Sequence, residues 1–270
     1  MEKILKDLSE SSLVAAIEAN LFEIFRLFNQ WSRAEVNESP ELLWLTTDIP
    51  FPLFNCILKS KLSPETMDDA INAAIARCKS KNVPMLWWTG PSTKPANLGS
   101  RLEAFSFQAT EVPGMAADLD SLPEKMELPE DLVIERVESD EDLEKWCRVL
   151  CTAFEMPAFV EDAFFDLYRS LGFDPSTPLH NYLGSLNDEV VATSTLFMGA
   201  GVAGIYGVST LERARRKGIG SAMTAAPLLD SQRLGYRVGI LQSSELGFNV
   251  YHNLGFKEYC KIYEYVWSGN

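Results

Sequence analysis

Residues 204–220 constrain this chain more than any other stretch. Ile205, Tyr206 and Val208 are β-branched or aromatic residues set among glycines, which suits a buried strand. The loop that follows gathers Arg213, Arg215, Arg216 and Lys217 within five positions. Gly218 and Gly220 come next, where a helix should begin. The first N–H groups of a helix have no partner inside it, and the helix dipole leaves positive potential there. Glycines let a ligand approach those groups, and the nearby cations add to the field. The guest such a turn suits is a phosphate or pyrophosphate. A solvated basic turn is the alternative on spacing alone. The chain as a whole carries a formal charge of −14, so a basic knot inside it calls for a reason.

A second pattern follows. Tyr251, Gly255 and Phe256 spell Tyr-x-x-x-Gly-Phe at the end of a short helical stretch, residues 245–254. Between the two patterns lie a helix over 218–234, a stop at Gly235 and an apolar strand over 237–242. The order is strand, anion loop, helix, strand, helix ending in Gly-Phe, strand. Over residues 132–267 this resembles the acyl-CoA-binding half of the GNAT superfamily of N-acetyltransferases. Either pattern alone is a weak signal, while the two in this order and spacing are a strong one.

The rest of the chain fits a tandem version of the same plan. At 270 residues it exceeds the usual single domain. Val14, Ile17, Leu21, Ile24, Phe25, Phe28 and Trp31 recur at helical spacing within 8–33, predicting an amphipathic helix laid over a sheet. Short strands are expected at 42–45 and 54–58 around Pro50 and Pro52. A helix with Ser63 as cap and Pro64 in its first turn should run to residue 80. A strand at 83–89 with Trp87 and Trp88, a helix at 97–105 and a further strand from Phe107 complete the half. Helix, strand, short helix, strand is also the order after Gly218.

We therefore expect an α/β (α+β) protein of two tandem GNAT-like domains, each a mixed, mostly antiparallel sheet flanked by helices. Residues 1–128 form the first domain and 129–270 the second, with the linker at 123–131. The first half has no Arg-x-x-Gly-x-Gly, and Pro64 removes an N–H that would serve an anion. It is expected to bind no cofactor and to help shape an acceptor cleft. In the second half a strand at 132–137 leads to a helix at 140–154, capped by Ser139 or Asp140. A Phe-rich helix at 159–171 follows; the resemblance lays it beside the acceptor. A hairpin at 180–186 and 190–198 turns at Asn187 and Asp188, and a strand at 203–209 delivers the chain to the basic loop.

The resemblance implies roles. Backbone groups of Val208, with Thr210 nearby, would hold the pantetheine arm and the acyl carbonyl. The loop Arg215, Arg216, Lys217, Gly218, Ile219, Gly220 and Ser221 would take the pyrophosphate through its N–H groups. Arg213, Arg215 and Arg216 would meet the nucleotide phosphates. Tyr251 falls where the family places the tyrosine that donates to the sulfur, a task suited to a phenol, which is protonated at neutral pH. Ser244 stands where many relatives carry an asparagine. The general base is left open among Tyr206, Glu155, Glu245 and an ordered water. Pro227, inside the helix after the loop, should bend it beyond the anion site.

The reaction implied is acyl transfer from an acyl-CoA, acetyl-CoA above all, to an amine of a small molecule or protein. A non-catalytic acyl-CoA-binding module is the alternative. A nucleotide-triphosphate loop fails because no Gly-Lys-Ser/Thr follows. The acidic balance suits a cationic amine and argues against nucleic acid. No apolar run reaches membrane-spanning length, and residues 1–10 lack the apolar core of a signal peptide, so none is expected. His180 and His252 are the only histidines, so no metal site is expected. Five cysteines, none in a Cys-x-x-Cys pair, suit a reducing cytoplasm. Tandem halves would suit a monomer, though the sequence leaves the oligomeric state open.

Overall fold

The computed structural model describes residues 4–122 and 129–269. The elements run α1 (Glu10–Arg26), β1 (Glu35–Glu38), β2 (Leu42–Thr46), β3 (Cys56–Ser60), α2 (Met67–Lys81), β4 (Met85–Thr89), α3 (Leu98–Ala104), β5 (Gln108–Asp118), β6 (Leu132–Arg136), α4 (Asp140–Ala153), α5 (Ala158–Leu171), β7 (Leu179–Leu186), β8 (Glu189–Gly199), β9 (Val202–Thr210), α6 (Ile219–Arg233), β10 (Val238–Gln242), α7 (Phe248–Asn253) and β11 (Lys257–Trp267).

Two units share these elements. One takes Met1–Leu21 and Gly114–Tyr259, the other Phe22–Pro113 and Cys260–Asn270. In the larger unit the strand order is β5-β10-β9-β8-β7-β6. All neighbours are antiparallel except β9 and β10, which run parallel. Its core lies under α6 and α7 and includes Leu196, Ile205, Met223, Leu228, Leu241 and Phe256. Helix α6 is buried along most of its length, which is why it lacks a polar stripe. Pro227 lies inside it, and the helix continues through to Arg233. Helix α4 begins as expected: the Ser139 hydroxyl accepts from the Asp142 N–H, and Asp140, Glu141 and Asp142 occupy its first turn.

In the smaller unit the order is β1-β2-β3-β4-β11, parallel only between β3 and β4. Trp87, Ile71, Leu98 and Leu102 anchor its core under α2 and α3. Phe25, Phe28, Trp31 and Phe54 pack as an aromatic cluster.

The strands of the two units thus repeat one plan, and each set closes on a strand from elsewhere in the chain. Strand β10 pairs with β5, Leu241 beside Met115. Strand β4 pairs with β11, Trp87 beside Tyr265. In chain order β5 follows α3 and β11 follows α7, so the closing strands of the two halves are exchanged. The residue-128 boundary lies outside the described residues. Two starts shift. Helix α2 begins at Met67 because the Ser63 and Thr66 side chains and backbones turn on each other first. Helix α7 begins at Phe248, after a turn in which the Gly247 N–H donates to the Ser244 hydroxyl.

Candidate functional site

The site begins where β9 parts from β10. Only Ala203 with Gly239 and Gly204 with Ile240 are partners, yet β9 runs on to Thr210 and β10 to Gln242. Two features turn β9 away. Its register with β8 shifts between Thr193 and Thr195. Gly207 opposite takes φ 54°, a conformation that glycine adopts without strain. The Thr193 hydroxyl donates to the Gly207 carbonyl at 2.8 Å and lies 2.7 Å from the Ser209 hydroxyl, fixing the kink.

Beyond Thr210 the basic loop folds back on itself. Leu211 and Ala214 are buried and pin it to the core. The Arg215 guanidinium donates to the Thr210 carbonyl at 3.0 Å and to the Ala153 carbonyl at 3.4 Å. Arg216 at φ 61° and Gly218 at φ 78° are left-handed and wind the chain into α6, with Gly218 as its cap. Backbone N–H groups turned this way converge on an anion. The first turn of α6 holds no acidic side chain to compete for that role.

A cavity of about 580 Å³ opens at this point. Val208, Ser209 and Thr210 form one wall, and Arg215, Arg216 and the α6 start from Gly218 to Ser221 form another. Ser244, Gly247, Val250 and Tyr251 close the α7 side, and Ala153 and Phe154 the end of α4. The cavity therefore reaches from α6 and α7 through the seam to α4. A Cβ built at Gly220 would meet only the Thr210 hydroxyl oxygen, at 4.0 Å. Neither packing nor backbone conformation requires glycine at that position. The space it leaves lies open against the helix start.

Tyr251 is 9% exposed and reaches the cavity from α7. Its ring lies over Gly247, where any Cβ would stand 2.6 Å from the ring carbon Cε2. Phe256 supports it edge-on with centroids 6.2 Å apart. The hydroxyl has no hydrogen-bond partner among the described residues. Burial alone pushes its pKa up to about 12, so it stays a proton donor across the neutral range.

Ten of the twelve expected residues thus line one cavity: Tyr251, Val208, Thr210, Arg215, Arg216, Gly218, Ile219, Gly220, Ser221 and Ser244. Arg213 and Lys217 do not. Arg213 turns to an exposed ion pair with Glu189, and Lys217 is exposed. None of the three base candidates lines the cavity. The Tyr206 hydroxyl donates to Asn20 at 2.7 Å, and Glu155 and Glu245 are exposed. Sequence reading missed Gly247, Leu246, Ala153 and Phe154. Glycine four residues before Tyr251 was the available sign of the first. Leu246 and Phe154 are 85% and 47% exposed, apolar residues at the cavity rim that only the fold brings together. Among the described residues no group of three His, Cys, Asp or Glu side chains is placed to hold a metal ion, and no helix is long and apolar enough to cross a membrane.

No family model matches the sequence, and no curated protein sequence matches it. Solved structures do match. A GCN5-related N-acetyltransferase from Kribbella flavida superposes with a TM-score of 0.71 at 17% identity, over 93% of this chain and 95% of that one. A GCN5-related N-acetyltransferase from Sphaerobacter thermophilus gives 0.63 at 14% identity, over 99% and 95%. A tandem GNAT protein from the clavulanic acid biosynthesis pathway gives 0.61 at 11% identity, over 98% and 96%. The chain has the fold of the GCN5-related N-acetyltransferases, and the tandem form of it is among its neighbours.

Proposed function

We propose that this protein is an acyl-CoA-dependent N-acyltransferase, with acetyl-CoA as donor and an amine of a small molecule or protein as acceptor. One observation carries the reading: the anion-accepting start of α6 and the Tyr251 hydroxyl stand on the walls of one cavity, at the seam where β9 leaves β10. A thioester bound there supplies an electrophilic carbonyl carbon; the amine nitrogen bonds to it, the C–S bond breaks with its electron pair going to sulfur, the amine loses a proton and the sulfur gains one. The chain provides the setting for holding the donor, polarising the carbonyl and protonating the sulfur, and the proton from the amine passes to water. N–H groups from Gly218 to Ser221, with Arg215 and Arg216, hold the pyrophosphate. Unpaired backbone of β9 around Val208 takes the pantetheine arm and polarises the carbonyl. Tyr251 delivers the proton to sulfur. Arg213 and Lys217 add to the local potential without touching the ligand. The half that supplies α2 and α3 binds no cofactor, and the five buried free thiols suit the cytoplasm.

Two measurements test this. Calorimetry with acetyl-CoA reads the donor site, and release of free thiol with a panel of amines reads the chemistry. Binding with turnover of an amine is the expected result. Binding with no amine turned over would make the chain an acyl-CoA-binding module, and no binding would remove the reading altogether.

A further inference from the structure

We infer that Phe154 and Leu246 receive the apolar body of the acceptor, so that the substrate is an amine carried on an alkyl or aryl chain. The inference rests on the acyltransferase reading and deepens it by naming the class of amine. Five large apolar side chains stand exposed among the described residues, and these two of the five line the cavity. Both are open to solvent, so a ligand seated in the cavity meets them without any rearrangement of the chain. A lone exposed apolar residue is ordinary, whereas two on the rim of one cavity mark a place that something apolar covers.

Each side chain is held at the rim by a turn of its own. The Gly247 N–H donates to the Ser244 hydroxyl at 3.2 Å and the Phe248 N–H to the Ser244 carbonyl at 3.1 Å, which places Leu246 at the centre of a closed turn. The Tyr251 ring lies over Gly247, the very next residue. Leu246 therefore borders the group that faces the sulfur, at the reacting end of the donor. Phe154 ends α4: its N–H donates to the Leu150 carbonyl at 3.1 Å, and Glu155 turns left-handed directly after it, at φ 53°. The Ala153 carbonyl beside it accepts from Arg215, which ties that end of α4 to the loop after β9. The polar parts of the donor are met elsewhere on the wall, by the α6 start and the backbone of β9. Its acetyl group brings one methyl, too little to cover two side chains of this size. The covering surface must come from the amine. Apolar area removed from water on both partners favours that complex, while a polar body in the same place gives up its hydration without return.

The test compares hexylamine with 2-(2-aminoethoxy)ethanol, a chain of equal length with oxygen at two of the carbon positions. Release of free thiol under saturating acetyl-CoA gives kcat/KM for each, at equal concentrations of free amine. The wild type should favour hexylamine by roughly tenfold or more. Phe154→Ser and Leu246→Ser should each cut that ratio by roughly threefold, and together bring it near one, through the KM of the amine. Affinity for acetyl-CoA by calorimetry should stay within about twofold, and the melting temperature should hold because both side chains are exposed. A ratio that neither substitution moves overturns the inference, and so does a wild type that favours the ether alcohol. Weaker acetyl-CoA binding in Phe154→Ser would give that ring to the nucleotide base. A changed ratio of hexanoyl-CoA to acetyl-CoA turnover, with the amine ratio intact, would give the rim to the acyl chain. Either result overturns it as well, and leaves the acyltransferase reading standing. If acetyl-CoA binds and no amine reacts, that reading falls first and takes this one with it.

Discussion

Strands β3 and β4 run parallel for two partners, Cys56 beside Leu86 and Ile57 beside Trp87, and β9 and β10 do the same. Past that point the two seams diverge. Between β9 and β10 the gap opens into the cavity. Between β3 and β4 the chain fills its own gap. The Lys94 N–H donates to the Ser60 carbonyl at 2.9 Å, and the Leu62 N–H donates to the Lys94 carbonyl at 3.0 Å. The buried Trp87 indole donates to the Ser60 hydroxyl at 2.9 Å. The helix starts differ to match. Helix α2 carries Asp68 and Asp69 in its first turn, and Asp68 is itself paired with Arg101. Helix α6 has no acid there, two glycines and two arginines at the cavity wall. A helix N-terminus asks for negative charge. One half answers from its own sequence, and the other has no acidic side chain there to answer. On the function proposed above, the same fold serves as scaffold or binding site according to what satisfies a few backbone groups.

The sharpest way to break this contrast is Tyr251→Phe. Turnover should fall by about 10²–10⁴-fold, the usual worth of a positioned acid, with acetyl-CoA affinity within about twofold. Steady-state kinetics beside calorimetry decides it, and unchanged turnover would take Tyr251 out of the mechanism. Next is Gly220→Val, which fills the cradle while meeting little of the protein. Acetyl-CoA affinity should drop by roughly tenfold or more while the melting temperature holds, because overpacking of about 1–3 kcal/mol then falls on the complex alone. A matching loss of stability without ligand would show that the glycine serves folding.

Trp87→Phe probes the closed seam. It removes the bond to Ser60 and leaves a small void, at a cost of about 1–3 kcal/mol in unfolding free energy. Denaturant titration measures that, and acetyl-CoA stoichiometry should remain one per chain. A second binding event would mean the first half had been merely blocked. The pH dependence sharpens the picture further. Burial raises the folded pKa of Tyr251 to about 12, above the ordinary phenol. The stability it contributes is therefore complete below about pH 10 and is lost as pH rises towards the folded value. The stability margin of wild type over Tyr251→Phe should shrink by about 1 kcal/mol or more between those limits. Smallest of all, Arg213→Ala should change affinity and turnover by less than about twofold, since its pair with Glu189 is exposed.

Much of this was legible in the chain itself. Arg215, Arg216, Gly218 and Gly220 were legible as a basic, glycine-opened helix start because helix starts and glycines have local physics, and the spacing of Tyr251 to Gly255 and Phe256 pointed to the residue that lines the same cavity. Other features are not local. That Arg213 would be diverted to Glu189 depends on where β8 lies. The Lys94 plug depends on a chain reversal with no periodicity. The pairing of β10 with β5, and of β4 with β11, is set by which sheet edge a strand reaches, and alternation along a strand carries no address.

That exchange of closing strands has a consequence for how the molecule comes into being. During synthesis strands β1 to β4 lack their β11 partner until residue 267 has been made, because β11 comes after the elements of the larger unit. Exposed strand edges invite misassociation. The earlier half therefore waits, unfinished, while the larger unit is being made, and a chain cut short before β11 keeps that edge open.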